Sequence, residues 1–245
     1  MRVQSIAQAG KSEVPPQYIQ PPSDRPNSDA DGKSGSGGGV PVIDLGEDSV
    51  REAVGRACRD WGAFQGLFRP SHFASLSRRN PSNWPHYPPN YREVVSQYSD
   101  EMNVLAQKLL GIISESLGLP PSCLKDAVGE FYQNITVMLK DSHWYTVDPL
   151  PEAIVVLVSD QTEIITNGNY RSAVHRAVTN STGARLSVAT FHDPSNTRNI
   201  SPAAVIVAQS SPPRYREVNY GDYMSRWYTK GPEGKRNIDS LLIGP

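Results

Sequence analysis

Three side chains in the second half of the chain have the types and spacing of a metal and carboxylate site. His175 alternates with Ala173 and Ala177, so a strand here places all three on one face. Arg185 and Ser187 lie two positions apart and share a face of the following predicted strand. A guanidinium group and a hydroxyl that point together can bind a carboxylate, and a histidine on the preceding strand could hold a metal at its other end.

Each of these residues also has an ordinary structural interpretation. His175 can be a buried strand residue, and Arg185 can pair with an acidic residue at the surface, because the R-x-S spacing alone is common. The other four histidines fall in predicted loops, at strand ends or in turns, where no ligand role is expected: His72, His86, His143 and His192.

The elements that must position the three residues are short strands. From Phe131 onward the sequence consists of runs rich in Val, Ile, Thr and aromatic residues, separated by turn residues such as Asn167-Gly168-Asn169. This pattern predicts an antiparallel sandwich or barrel. The predicted strands are Gln133–Leu139, Trp144–Val147, Ala153–Val158, Glu163–Thr166, Ser172–Val178, Arg185–Phe191 and Ala203–Ala208.

Helices dominate the part of the chain before these strands. Apolar residues at helical spacing predict one helix that begins at Asp48 and ends at Gly62, and a long helix over Tyr91–Leu119. A strand over Val40–Leu45 precedes them, residues 66–89 have no regular pattern, and shorter helices are expected over Ser122–Val128 and Tyr220–Tyr228. The predicted architecture is therefore α+β, with helices first.

Composition divides the 245 residues into three parts and excludes several classes of protein. Residues 1–39 are rich in proline and end in a Gly/Ser tract, as in an arm with a flexible linker. A mostly helical domain over 40–128 and a β-domain over 129–245 are expected to follow. The net charge of −1 gives no basis for binding nucleic acid or an anionic membrane.

Other features indicate a cytoplasmic protein. The chain contains no apolar run long enough to span a membrane, and its first residues lack the apolar segment of a secretory signal. The two cysteines, Cys58 and Cys123, are too few for a disulfide scaffold or a cysteine-rich zinc site. No protein partner is identifiable, and a small-molecule substrate is expected.

Several motifs together resemble the plant 2-oxoglutarate- and Fe(II)-dependent dioxygenases, in the branch of leucoanthocyanidin dioxygenase-like proteins and jasmonate-induced oxygenases. The resemblance extends over nearly the whole chain. Its clearest segments are Val14–Ile19, Pro21–Pro26, Ala57–Gln65, Asn83–Pro85, Asn167–Ser172, His175-Arg176, Arg185–Ser187 and Asp193-Pro194.

The resemblance implies a fold, a chemistry and roles for the three residues. The family fold is a double-stranded β-helix, or jelly roll, flanked by amino-terminal helices, and its iron is held by two histidines and one carboxylate. His175 matches the distal iron ligand, while Arg185 and Ser187 match the pair that binds 2-oxoglutarate. The implied cofactors are Fe(II), 2-oxoglutarate and ascorbate, and the implied substrate is a hydrophobic plant metabolite or hormone, flavonoid-like or jasmonate-like.

The sequence departs from the family pattern at two places. The H-x-D motif that supplies the other two iron ligands is absent, since no histidine is followed two residues later by Asp or Glu. The chain lacks the expected family segments after Phe64-Gln65 and between Val137 and Met138, so we expect an incomplete jelly roll.

Two functions follow from these departures. The chain is either an oxygenase of the family or a catalytically inactive, truncated relative or partial gene product. Asp141 and His143 could replace the missing motif in reversed order, but their segment resembles an outer turn of the family fold. We therefore expect no turnover of 2-oxoglutarate.

Overall fold

The computed structural model describes residues 39–68, 86–128, 137–140, 143–145, 147, 150–176, 188–210, 212–230 and 237–244. All of them lie in one compact unit, Ser34–Pro245. The predicted arm over 1–39 therefore lies almost entirely outside the described residues, and the boundary at 128/129 remains a prediction. Among the described helices, none combines the length and apolar character that a membrane span requires.

Two helices in the first half form the helical side of the core. Helix α1 (Val50–Asp60) buries Val54, Ala57 and Cys58, as its apolar spacing predicts. Helix α2 (Tyr91–Ser116) buries its second half, from Met102 onward, and both helices contribute to one apolar cluster. Burial raises the pKa of the Cys58 thiol to about 12. A short helix, α3 (Cys123–Val128), follows and buries Leu124 and Val128 in the same cluster.

A three-stranded sheet packs beside these helices. Strand β1 (Val42–Asp44) lies parallel to β2 (Ala63–Leu67), and β2 pairs antiparallel with β5 (Ala153–Leu157) on its other side. Strand β2 is the central strand and its first four residues are buried. The sequence pattern does not predict this strand, because its Gln and Gly residues interrupt the alternation that is typical of a strand.

Gly62 connects α1 to this sheet through a conformation that other residues resist. Its φ of +68° lies in the left-handed region, and a Cβ at this position would lie 2.3 Å from the carbonyl oxygen of Arg171. Glycine therefore ends the helix and lets the backbone of residue 171 approach closely. This contact matters for the site described below.

A second three-stranded sheet contains His175. Strand β3 (Val137–Lys140) lies in its centre, between β4 (His143–Tyr145) and β6 (Val174–Arg176), and both pairings are antiparallel. Met138 is opposite Tyr145 on one side and His175 on the other. A two-stranded sheet, β7 (Asn199–Ile200) with β8 (Val218–Asn219), completes the strands of the described residues.

Two segments predicted as strands are helical. The expected strand Glu163–Thr166 lies mostly in helix α4 (Asp160–Ile165), which begins after Ser159 and ends before Asn167 at φ +53° and Gly168 at φ +80°. A serine at the start and an Asn-Gly pair at the end are helix-boundary features that outweigh β-branched content.

The expected strand Ala203–Ala208 was also wrong, because Ala204–Ser210 form helix α5. The amide of Ala203 donates a hydrogen bond to the carbonyl oxygen of Ile165, which fixes the start of α5 against the end of α4. Tertiary context of this kind overrides the β-propensity of Val and Ile. The predicted closing helix is confirmed as α6 (Tyr220–Lys230), and Asn237–Leu241 form a final 3-10 helix.

Strand β5 leads to a prediction about solubility. Its sequence, Ala-Ile-Val-Val-Leu, carries no charge or proline, all five residues are half-buried, and β2 is its one strand partner among the described residues. Such an edge readily pairs with another chain. We expect the purified protein to self-associate and to bind the dye ANS strongly, as measured by size-exclusion chromatography and fluorescence. A monodisperse monomer with a sharp, cooperative thermal transition would contradict this expectation.

Candidate functional site

His175, the predicted metal ligand, lies in strand β6 and is exposed. Its ring Nδ1 lies 2.9 Å from the carbonyl oxygen of Ala173, within its own strand segment. The predicted 2-oxoglutarate pair, Arg185 and Ser187, lies outside the described residues, and so does Asp141. The predicted arrangement of these side chains around a common interior therefore stays a prediction.

The backbone shows how far His143 lies from His175. The two residues flank opposite sides of β3, where His143 is opposite Lys140 and His175 is opposite Met138. Residues 138 and 140 share a face of β3, so their partners share that face too. Two strand spacings already separate the two backbones by about 10 Å, because neighbouring strands lie about 4.8 Å apart.

The segment that leads into β6 is fixed by three helices in succession. The Tyr170 hydroxyl lies 2.7 Å from the Ser116 Oγ at the end of α2. The Arg171 amide donates to the carbonyl oxygen of Cys58 in α1. The Ser172 amide donates to the Glu163 Oε2 of α4 at 2.6 Å. Three consecutive residues are thus each held by a different helix, and His175 follows three positions after the last of them.

Glu163 is the centre of this polar arrangement. Its side chain is 3% exposed, and besides Ser172 it accepts a hydrogen bond from the Tyr215 hydroxyl to Oε1 at 2.6 Å. A buried carboxylate needs such donors, because burial without them costs several kcal/mol. The sequence does not predict this role for Glu163, since its local pattern predicts a strand over Glu163–Thr166. The helix-boundary residues Ser159 and Asn167-Gly168 could have revealed its position in α4.

A second polar cluster joins α4 to α6. The Tyr223 hydroxyl donates to Asp160 at 2.5 Å, and the Tyr220 hydroxyl donates to Asp193 at 2.5 Å. Gln161 donates through its Nε2 to the carbonyl oxygen of His192 at 2.9 Å. The sequence predicts only a turn at His192 and Asp193, and these contacts between α4, the turn and α6 are not predicted from it.

Burial changes the acid–base properties of this cluster. Loss of hydration lowers the pKa of His192 to about 4. Burial also raises the pKa of Asp193, although the hydrogen bonds from Tyr220 and Gln161 act in the opposite direction. The imidazole of His192 is consequently neutral near pH 7 in the folded protein.

Comparison with known proteins relates this arrangement to a family. A model of the 2OG-Fe(II) oxygenase superfamily matches residues 114–194, the range that contains His175, Arg185 and Ser187. Jasmonate-induced oxygenase 4 of Arabidopsis thaliana is 27% identical over 98% of this chain and 96% of its own length. Flavanone 3-dioxygenase 2 of Oryza sativa subsp. japonica is 26% identical over 96% of this chain and 94% of its own length.

The structural comparison agrees with the family model. A crystal structure of JOX2 in complex with 2OG, Fe and JA superposes with a TM-score of 0.81, covering 100% of this chain and 98% of that chain at 23% identity. This chain belongs to the 2OG-Fe(II) oxygenase superfamily. The α+β fold with an incomplete jelly roll is thereby confirmed, and the cofactors of the family are Fe(II) and 2-oxoglutarate.

The oxygenase alignment also shows that positions are missing inside the chain. The match to jasmonate-induced oxygenase 4 spans 341 positions, whereas this chain has 245 residues, so at least 96 positions of the alignment have no residue here. Because the match covers nearly all of both chains, these gaps are internal. This supports the expected loss of internal segments, while their location after Gln65 and after Val137 stays a prediction.

The donors of the described residues do not fit the oxygenase iron. A facial triad needs two histidines and one carboxylate, and the sequence contains no H-x-D motif. Within the described residues, no group of three His, Cys, Asp or Glu side chains is close enough to hold a metal ion. His175 remains the one metal ligand that the resemblance predicts, and this role stays a prediction.

The contact between Tyr215 and Glu163 allows a stability prediction. Replacing Tyr215 with Phe removes a hydrogen-bond donor from a buried carboxylate. We therefore expect the free energy of unfolding to fall by about 1–3 kcal/mol. Urea unfolding monitored by circular dichroism measures this change. Tyr87→Phe is the matched control, because Tyr87 is 83% exposed and its variant should stay within about 0.5 kcal/mol of the parent. Equal losses in both variants would contradict the assigned role of Glu163.

His192 makes stability depend on pH. The unfolded chain takes up a proton on this residue near pH 6.5, whereas the folded state resists protonation until about pH 4. The contribution of neutral His192 to the free energy of unfolding is therefore fully present above about pH 6.5. It decreases as the pH falls toward 4, by up to about 1.4 kcal/mol per pH unit.

Urea unfolding between these pH values tests the contribution of His192. His192→Gln should flatten the pH dependence, and His86→Gln, which changes an exposed histidine, should preserve it. Asp193 is present in both variants, so its opposing titration cancels in the comparison. An unchanged slope in His192→Gln would show that the imidazole is not the responsible group.

Proposed function

We propose that this chain is a non-catalytic member of the 2OG-Fe(II) oxygenase superfamily. The observation that carries the proposal is the donor set, because His175 stands without an H-x-D motif and the described residues contain no three-ligand cluster. One imidazole does not define iron geometry, and Fe(II) is low in the affinity order for nitrogen and oxygen ligands. What the chain retains of the fold is the helical side of the core and the anchored segment before β6.

The second candidate is an active oxygenase that oxidises a hydrophobic plant metabolite or hormone. The match to jasmonate-induced oxygenase 4 and flavanone 3-dioxygenase 2 over almost their full lengths favours it. Such activity would require iron ligands in the segments outside the described residues, with Asp141 and His143 as the first candidates. Under this candidate, Arg185 and Ser187 would bind 2-oxoglutarate.

Succinate formation distinguishes the two candidates. The chain is incubated with 2-oxoglutarate, Fe(II), ascorbate and oxygen, and we expect no succinate above a blank without protein. Loss of a residue that only supports a metal ligand costs about 10–100-fold in affinity or activity, so loss of two ligands should abolish turnover.

Two variants make the assay decisive. His175→Ala removes the recognisable ligand, and His86→Ala removes an exposed histidine from a loop. Turnover that disappears in His175→Ala and persists in His86→Ala would establish the second candidate. Equilibrium dialysis with Fe(II) adds a direct readout, and we expect the same weak binding for the parent chain and both variants.

A further inference from the structure

A polar cavity of about 570 Å³ lies beside Glu163, and neither His175, Arg185 nor Ser187 is among its lining residues. Its wall is formed by the end of α4, the segment before β6, the segment before β8 and the final 3-10 helix. The residues that matter for its chemistry are Glu163, Gly168, Arg171, Arg214, Tyr215 and Asp239.

The two arginines give the cavity its chemical character. Both Arg171 and Arg214 are exposed at the cavity. Within the described part of the chain, neither guanidinium group makes a hydrogen bond or an ion pair. Each guanidinium carries five N–H donors in a planar fork, the geometry that matches a carboxylate or phosphate group.

Among the described residues, neither acidic residue of the wall forms an ion pair with these arginines. Glu163 is buried, and its two oxygens already accept hydrogen bonds from the Ser172 amide and the Tyr215 hydroxyl. Asp239 is the remaining acidic residue of the wall, against two arginines. The balance of the exposed charges therefore favours an anion.

The backbone around the arginines is built rigidly. Asn167 accepts a hydrogen bond from the Arg214 amide at 2.8 Å and donates to the carbonyl oxygen of Pro212 at 3.2 Å. Gly168 has a φ of +80°, and a Cβ there would lie 2.5 Å from Nη1 of Arg214. The guanidinium thus packs directly on a glycine, where another side chain would displace it. Arg171 follows Tyr170, whose hydroxyl contacts Ser116.

We propose that this cavity binds a small organic anion, whose carboxylate or phosphate group is held by the guanidinium groups of Arg171 and Arg214. The volume exceeds that of a single phosphate or carboxylate group, so the ligand is of metabolite size. Charge-assisted hydrogen bonds from a preorganised guanidinium supply the affinity. The site uses neither His175 nor the predicted pair Arg185 and Ser187, so it is independent of whether the chain oxidises a substrate.

Isothermal titration calorimetry at constant ionic strength tests the proposal with two probes, inorganic phosphate and succinate. Saturable binding of either probe identifies which oxyanion the site prefers. Arg171→Gln and Arg214→Gln should each weaken that binding by about tenfold, because hydrogen bonds to charged groups contribute more than neutral ones. Added sodium chloride should weaken it further by screening.

Two control variants locate the binding. Arg56→Gln removes an exposed arginine of α1 that does not line the cavity, and its affinity should equal that of the parent. Arg185→Gln tests the predicted cofactor pair, which could itself attract succinate. Arg214→Lys keeps the charge without the fork and should bind with intermediate affinity, which covers the case in which Arg214→Gln fails to fold.

The outcomes separate clearly. A loss of affinity for the probe that is confined to the Arg171 and Arg214 variants supports the proposal, whatever the succinate-formation assay shows. Absence of saturable binding for both probes, equal weakening in Arg56→Gln, or weakening in Arg185→Gln alone would overturn it.

Discussion

The fold around the candidate site depends on the anchoring of three consecutive residues, Tyr170, Arg171 and Ser172. Each is held by a different helix, through Ser116, the Cys58 carbonyl and Glu163. Since β6 begins at Val174, a shift of any one helix would move the strand that carries His175. Gly62 adds to this constraint, because only a residue without a side chain allows the Arg171 carbonyl to lie so close.

The helical part of the fold was predictable from the sequence, and the reason is periodicity. Helices α1 and α2 bury apolar residues at intervals of three and four, and Gly62 and Gly118 follow their last turns at positive φ. These features act locally and can be seen in one sequence. Helix α4 was missed because it is short and rich in Ile and Thr, so its boundary residues carried more information than its composition.

The candidate site was predictable only in part. His175 was identified by resemblance, whereas Glu163 was missed, because its role depends on Tyr215, which is distant in sequence, and on burial. The cluster of Asp160, Asp193, Tyr220 and Tyr223 was missed for the same reason. Contacts of this kind connect α4 to segments near the end of the chain, and no local sequence pattern predicts them.

Cys58 gives the anchored segment a chemical consequence. Its thiol is fully buried and has a pKa of about 12, so the reactive thiolate is almost absent at neutral pH. Its carbonyl oxygen accepts the Arg171 amide, so exposure of the thiol requires the region around that anchor to open. An alkylating reagent should therefore modify Cys58 more slowly than the partly accessible Cys123. The rate of Cys58 modification then reports how often the structure beside residues 170–172 opens locally.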